Sequence, residues 1–263
     1  MVRTLIIAIV DFFQNLKIWK VPIRVNGFIL QGAIFDRWLY LMLHKFKLMG
    51  NSDWKFLSRH IEVGANVLDI GANVGVITSG MSRLVGSQGC VTAFEPDFRL
   101  FSCLKKNIQC NGLHNVRLFN LALGYRKQSM RLKRSRYNSG DNHVISREGA
   151  IESDEVEIEV DRLDSVVKGH VDFIKIDVQG YELFVFNGMT NLLEANPQVK
   201  IFFEFWPKGF LYAQVDPVDV LTFLTSRGFL LVKVDDGKEL KSVHEFCRSF
   251  PPKSYCNLLA LKG

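Results

Sequence analysis

From Asn66 onward, short apolar runs alternate with stretches whose apolar residues recur every three to four positions. This is the pattern of strands alternating with amphipathic helices. Val67 to Ile70 predicts a first buried strand, and Val76, Ile77, Met81, Leu84 and Val85 stripe a helix that Gly86 ends. The run "CVTAFE" predicts a second strand stopping at Glu95. A helix with Phe98, Phe101, Leu104 and Ile108 on one face then runs to an Asn111-Gly112 cap. "VRLFNLAL" reads as a third strand, "DFIKIDV" as a buried fourth, and a helix starts at about Gly180. "VKIFFEF" is another strand, and the helix after it opens at Asp216-Pro217 and closes at Gly228. "GFLLVKVD" and "CNLLALK" predict a terminal hairpin. The alternation predicts βαβ units, a mostly parallel sheet and an α/β fold.

Residues 126–160 break this rhythm: "SMRLKRSRY" and "EVEIEV" alternate in strand fashion around the polar turn "YNSGDNH". They predict an inserted β-hairpin, and such inserts commonly shape substrate pockets. Ahead of the sheet, Val2, Leu5, Ile6, Ile9, Phe12, Phe13 and Leu16 stripe a helix, and "IFDRWLYLMLHKFKLM" reads as an aromatic-rich second one. The organisation read from the chain is an N-terminal helical appendage over 1–60, which caps the ligand edge or packs as core. One domain follows over 61–263, with the insert at 126–160.

Composition narrows the function. The 263 residues, 48% of them hydrophobic, can bury a full core, and 33 Lys plus Arg against 27 Asp plus Glu is too mild an excess to mark a nucleic-acid binder. The basic run Arg126, Lys127, Arg131, Lys133, Arg134 and Arg136 and the acidic run from Glu152 to Asp161 read as two solvated faces of the insert. Five cysteines without C-x-x-C spacing imply a reducing, cytoplasmic setting and no structural metal. The histidines lack zinc-ligand spacing. The apolar run Leu5–Val10 ends at Asp11, far short of the roughly 20 residues of a bilayer span, and no signal-peptide cleavage site follows it. Arg3, Lys17 and Lys20 beside the stripe would suit peripheral contact with an inner membrane surface; docking on the domain or on a second subunit is the first reading.

The chemistry begins at "VLDIGANVG", which reads as a strand tip, a tight turn and a helix start. A side chain at Gly71 would occupy ligand space. Nicotinamide and flavin sites usually read G-x-G-x-x-G, and Asn73 stands at the middle glycine, which disfavours a pyrophosphate cofactor. Asp69 repels phosphate and attracts an ammonium, and Glu95 at the second strand tip can accept both hydroxyls of a ribose. Together they point to a phosphate-free ribonucleoside, S-adenosylmethionine, although either acid alone could simply cap a turn.

The segments "VLDIGANVG", "VTAFEPD", "FNLALG", "FIKIDVQGYE" and "IFFEFWP", in this order, resemble the FkbM family of S-adenosylmethionine-dependent methyltransferases over about Asn66 to Pro207. Gln179 departs from the family's frequent D-V-E-G. The resemblance implies a Rossmann-like class I methyltransferase fold, with a mostly parallel seven-stranded sheet and helices on both faces. It also implies methyl transfer to an oxygen, often a sugar hydroxyl in a glycan, glycolipid or glycosylated natural product. By position, Asp69, Gly71, Ala72, Asn73 and Gly75 surround the methionine portion and the turn, and Glu95 the ribose. Asn120 and Ala122 mark the adenine edge, with Phe94 and Pro96 packing on the base.

An alcohol needs help ionising. Asp177 at the fourth strand tip and Glu182 just after Gly180 converge on one sheet edge, and Lys175 shares a strand face with Asp177. Asp177 is expected to be the general base or to orient the acceptor hydroxyl. Glu182 and Lys175 would be supporting charges and Glu204 a partner for Lys175; a buried ion pair of Lys175 with Asp177 or Glu204 is the plainer alternative. His143, in the polar turn, is an alternative base. The expected partner is a hydroxyl-bearing carbohydrate rather than nucleic acid, and a homo-oligomer is compatible with the chain. Two other functions remain open: a nucleic-acid methyltransferase using the basic run, which lacks the N/D-P-P-Y/F/W box and a Pro-Cys nucleophile, and a non-catalytic nucleoside-binding or interaction module.

Overall fold

The computed structural model describes residues 23–25, 27–30, 51–135, 138–145 and 150–262, so both helices expected within 1–50 lie outside the described residues. Strands β1 (Ile23–Val25) and β2 (Phe28–Leu30) pair antiparallel, and helix α1 (Asn51–His60) leads into the domain. The stretch 23–30, counted above with a helical appendage, is therefore a hairpin. It is tied down by Asn111, which accepts from Ile29 N–H (2.8 Å) and donates to the Ile29 carbonyl (2.7 Å), and by Arg83 lying over the Phe28 ring.

The first half of the sheet is built by β3 (Asn66–Ile70), α2 (Val76–Val85), β4 (Cys90–Phe94), α3 (Phe98–Cys110) and β5 (Val116–Phe119). The insert follows as β6 (Ala122–Leu123), β7 (Gln128–Lys133), a 3-10 turn at Ser139–Asp141, β8 (His143–Ile145) and β9 (Glu155–Asp161). The second half contains α4 (Leu163–Val166), β10 (Phe173–Ile176), α5 (Glu182–Asn187), α6 (Thr190–Ala195) and β11 (Lys200–Phe205). It ends with α7 (Pro207–Tyr212), α8 (Pro217–Thr225), β12 (Phe229–Lys233), α9 (Val243–Ser249) and β13 (Cys256–Lys262).

Among the described residues, seven strands form one sheet in the order β12-β13-β11-β10-β3-β4-β5, with β13 antiparallel to both neighbours and the rest parallel. The expected mostly parallel sheet with a terminal hairpin is present. Every residue of β10 is buried, as a parallel strand covered on both faces must be. One face packs Ile70, Ile176 and Phe203 against Phe186 and Leu221; the other packs Val67, Phe173 and Phe202 against Leu57, Met81 and Val85. The chain walks outward from β3 to β5 and then returns to the other side of β3 as β10. The order therefore reverses between β3 and β10, where open α/β sheets bind their ligands.

Three local expectations change. "VRLFNLAL" is two strands, because the run breaks between β5 and β6 at Asn120, whose Nδ2 donates to the carbonyls of Glu95 and Pro96 (both 2.9 Å). The insert is a four-stranded sheet, β6-β9-β7-β8, rather than a hairpin: β7 takes β9 on one edge and the short β8 on the other, and β6 joins β9 in parallel. The inward stripe of α3 runs through Leu100, Leu104, Asn107 and Ile108, leaving Phe98 67% exposed at the helix start.

Several of the insert's charges also pair with one another, while Arg126, Lys127, Glu157 and Glu159 stay exposed as expected. Arg131 lies 3.6 Å from Glu155, Lys133 lies 3.6 Å from both Glu152 and Asp154, and Ser129 donates to Glu157. The basic strand and the acidic strand are partners across one ladder. Among the described residues no helix is long and apolar enough to cross a membrane.

Candidate active site

At the end of β3, the N–H groups of Gly71 and Ala72 both donate to the Phe94 carbonyl (3.0 and 2.9 Å), and Gly75 N–H donates to Ala72 O. The chain thus leans on the tip of β4 and curls into α2. Gly71 has φ +82, and a Cβ there would lie 1.9 Å from the Asp177 carbonyl oxygen. The constraint nearest to this glycine is the backbone of the adjoining strand end, in addition to the ligand space assigned from sequence. A Cβ on Gly75 would fall 2.4 Å from Leu104 Cδ1, so that glycine admits α3 and does not line the cavity.

Asn73 adopts φ 52, a left-handed conformation that Asn tolerates. Its side-chain oxygen accepts from Val74 N–H (2.7 Å), and its Nδ2 donates to Ser139 Oγ of the insert (3.0 Å). Its N–H donates to Glu95 Oε2 (2.9 Å), and Asp97 N–H donates to Glu95 Oε1 (2.8 Å). Burial pushes the Glu95 carboxyl up to about 8 despite these two donors. Each oxygen of the ionised group keeps acceptor capacity beyond its single backbone bond. Asp97 caps α3 through Arg99 N–H and receives both Nε and Nη2 of Arg134 (2.7 and 2.8 Å), which clamps the insert to the β4 tip.

A cavity opens at the reversal of strand order. Gly71, Asn73, Glu95, Pro96 and Ala122 line it, with Phe94, Leu100 and Leu123 forming an apolar wall. Asp177, Val178, Gln179 and Tyr181 close it on the β10 side, and Ser139, Gly140, Asn142 and Val144 of the insert supply the roof. Among the described residues, no Lys, Arg or His lines it. A carboxylate acceptor beside an apolar wall fits an adenosyl group.

Asp69, Ala72, Gly75, Asn120, Lys175 and Glu182 are not in this wall. Asp69 is fully buried: its Oδ2 accepts from Thr78 Oγ1 (2.6 Å), and its Oδ1 lies 3.2 Å from Lys175 Nζ. Lys175 also donates to Gly71 O (2.9 Å) and lies 3.8 Å from Asp177 Oδ2. Burial alone would lower the Lys175 ammonium, but the Asp69 and Asp177 carboxylates outweigh it and hold its pKa above the ordinary value. The partner of Lys175 is thus Asp69, with Asp177 farther off. Of the two partners expected for Lys175, Asp177 is within ion-pair distance and Glu204 is engaged elsewhere.

Glu204 pairs with Gln179 instead. Gln179 Nε2 donates to Asp177 Oδ1 (2.7 Å) and to Glu204 Oε2 (2.9 Å). Burial, then Asp177 and then Glu182, push the Glu204 carboxyl well above the usual carboxylate range. Glu182 lies beneath the turn: Oε1 accepts from Val178 N–H (3.2 Å), Oε2 has no hydrogen-bond partner among the described residues, and burial lifts its pKa to about 8. The Asp177 side chain is 41% exposed, so it can meet a second substrate. Gln179, Ser139, Gly140, Asn142 and Val144 were not singled out as site residues from sequence, although the insert was expected to shape the pocket. Gln179 had been noted only as a departure, and the roof depends on strand pairings that no local pattern reveals.

Residues 69–231, more than half of the chain, match the family described as the methyltransferase FkbM domain. A tRNA (adenine(58)-N(1))-methyltransferase catalytic subunit of Cryptococcus neoformans var. neoformans is 30% identical over 85 residues, 32% of this chain and 20% of that protein. The match thus spans about a fifth of that relative's length. Among solved structures, a methyltransferase FkbM of Methylobacillus flagellatus is similar at 14% identity and TM-score 0.47, over 86% of this chain and 54% of that one. An rRNA methylase of Streptococcus thermophilus is similar at 11% identity and TM-score 0.47, over 80% and 93%.

Proposed function

The chain belongs to the FkbM family of S-adenosylmethionine-dependent methyltransferases, and on that premise we propose that it methylates a hydroxyl oxygen, that of a sugar in a glycan, glycolipid or glycosylated natural product. The observation carrying the choice of oxygen is the half-exposed Asp177 carboxylate. It sits on the cavity wall at the mouth, fixed by Gln179 and near the Lys175 ammonium. Bound in the crevice, S-adenosylmethionine supplies a methyl group on a sulfonium centre. Glu95 would accept the ribose hydroxyls, while Phe94, Leu100 and Leu123 keep water from the base. Asp177 would hold the acceptor hydroxyl in line and take its proton as the oxygen attacks. Lys175, bonded to Gly71 O, joins the cofactor turn to that base.

A nucleic-acid acceptor is the second reading, favoured by the 85-residue likeness to a tRNA methyltransferase subunit. The ion pairs that engage Arg131, Lys133 and Arg134 within the protein favour the sugar, since phosphate contacts need available cations. A cytoplasmic location is part of the same proposal, resting on five free cysteines.

The test is calorimetric titration with S-adenosylmethionine and, in parallel, NAD, followed by transfer of labelled methyl to a sugar panel and to tRNA. Binding of the first alone, with label in a sugar that Asp177→Asn abolishes, supports the whole reading. Label in tRNA, or full turnover by Asp177→Asn, would overturn the acceptor or the base respectively.

A further inference from the structure

Helix α7 follows the tip of β11 directly and is pressed onto the segment that bears Asp177: a Cβ on Gly180 would lie 2.3 Å from both the carbonyl carbon and oxygen of Gly209. Gly209 is bare for a second reason, since its own Cβ would fall 2.3 Å from Trp206 Cε3. The Trp206 ring therefore lies across the first turn of α7, two residues beyond Glu204. The Tyr212 ring meets Trp206 edge-on (6.2 Å, 78°) and stacks on His143 of β8 (5.4 Å, 21°). His143 stands between Asn142 and Val144, which line the cavity from the insert side. The three rings link α7 to the insert strand whose neighbouring residues line the cavity.

We propose that Trp206, Tyr212 and His143 form the acceptor shelf, which takes the apolar face of a sugar ring and presents its rim hydroxyls to Asp177; this rests on the methyltransferase reading above. A stack serving only to tie the insert to α7 would be expected to hide its rings, yet Tyr212 is 51% exposed and Leu211 beside it 65%. Exposed apolar side chains beside residues that line a cavity are placed to meet a ligand entering it. Its surroundings select the ligand. Asp177 and Glu204 offer hydrogen-bond acceptors, which suit hydroxyl donors, and Lys208 Nζ lies 5.5 Å from the Tyr212 ring as a cation beside the shelf. A sugar combines a carbon–hydrogen face with a hydroxyl rim. A nucleic-acid strand would bring phosphates against the Asp177 carboxylate.

The experiment uses the full chain loaded with S-adenosylhomocysteine and methyl glycosides of glucose, galactose, mannose, rhamnose and fucose, observed by saturation-transfer NMR. The expected result is transfer from protein to the ring protons of at least one glycoside. Tyr212→Ala should weaken that glycoside about threefold to tenfold, the range of a ring–ring contact, and Tyr212→Phe should restore it. Calorimetric affinity for S-adenosylmethionine should stay the same in both variants. Glycoside binding unchanged in both Tyr212→Ala and Trp206→Ala would overturn the shelf while leaving the sugar acceptor standing. If the wild type binds S-adenosylmethionine but no glycoside, the sugar assignment and the shelf both fall. If it does not bind S-adenosylmethionine, the methyltransferase reading beneath them falls.

Discussion

Gln179 holds Asp177 and Glu204 together through one amide nitrogen, at 2.7 and 2.9 Å. The residue pays for this position with a left-handed backbone, φ 55, of the strained kind that persists where surrounding contacts enforce it. An amide has two N–H groups to give and a carboxylate has none. Gln179→Glu would set a third acid between two acids, and the variant should lose about 1–3 kcal/mol of stability at pH 8. The loss should largely disappear at pH 5, where protonation removes the repulsion. Thermal melts at the two pH values check this, and an equal loss at both would show that charge repulsion is not the cause.

Glu95 gives the cofactor site its own pH dependence. Its carboxyl is raised to about 8 by burial, and the ionised form is the better double acceptor for a ribose diol. Affinity for S-adenosylmethionine should therefore increase as pH rises through about 8. Glu95→Gln should flatten that rise, and Glu95→Ala should weaken binding by about tenfold or more, the scale of hydrogen bonds to a charged group. Calorimetric titrations between pH 6 and pH 9 would measure both.

Glu182 should destabilise the protein when ionised. Its folded pKa of about 8 stands above the unfolded value of 4.5, so the stability it confers is complete below about pH 4.5 and is lost as pH rises through about 8. Glu182→Gln removes the titration and should leave a variant more stable than wild type at pH 9 by about 2–4 kcal/mol, with little difference at pH 5. Denaturant midpoints at those two pH values give the sign. A variant weaker at pH 9 would contradict the burial argument.

Gly71→Ala is expected to be among the costliest single substitutions in the protein. It combines φ +82 with a Cβ 1.9 Å from the Asp177 carbonyl oxygen, so the two strand ends would have to separate. A loss of about 3 kcal/mol or more, or failure to accumulate folded protein, is the expected outcome. Gly64→Ala is the control: it shares a positive φ of +86 but has open space around the added carbon, so only the backbone strain applies.

The sheet was legible because a parallel strand buried on both faces is written mostly in apolar residues, as in Phe173–Ile176 with Lys175 as its one exception, and because glycines mark helix ends at Gly86 and Gly228. The positions of Gly71, Glu95 and Asp177 followed from being at strand tips. The direction of Asp69 did not follow, since strand alternation does not say whether Lys175 across the β3–β10 pair will occupy the carboxylate. The insert was legible as β structure but not as a four-stranded sheet. Ala122–Leu123 is too short to carry a pattern, and its pairing with Val160–Asp161 spans 38 positions. The Trp206–Tyr212–His143 cluster was invisible for the same reason, because one of its rings comes from the insert and two from α7.

The contact between Gly71 and the Asp177 carbonyl, reinforced by Lys175 bonding back to Gly71 O, makes the donor side and the base side of the reaction a single rigid block. A mutation there disturbs both halves at once, which leaves little room for variation. The roof at Ser139–Val144 meets this block through the Ser139–Asn73 hydrogen bond, and the helix Pro207–Tyr212 meets it through Gly209 against Gly180. They are the interchangeable parts of the molecule. A designer wanting a new acceptor should graft those two segments and leave the block intact.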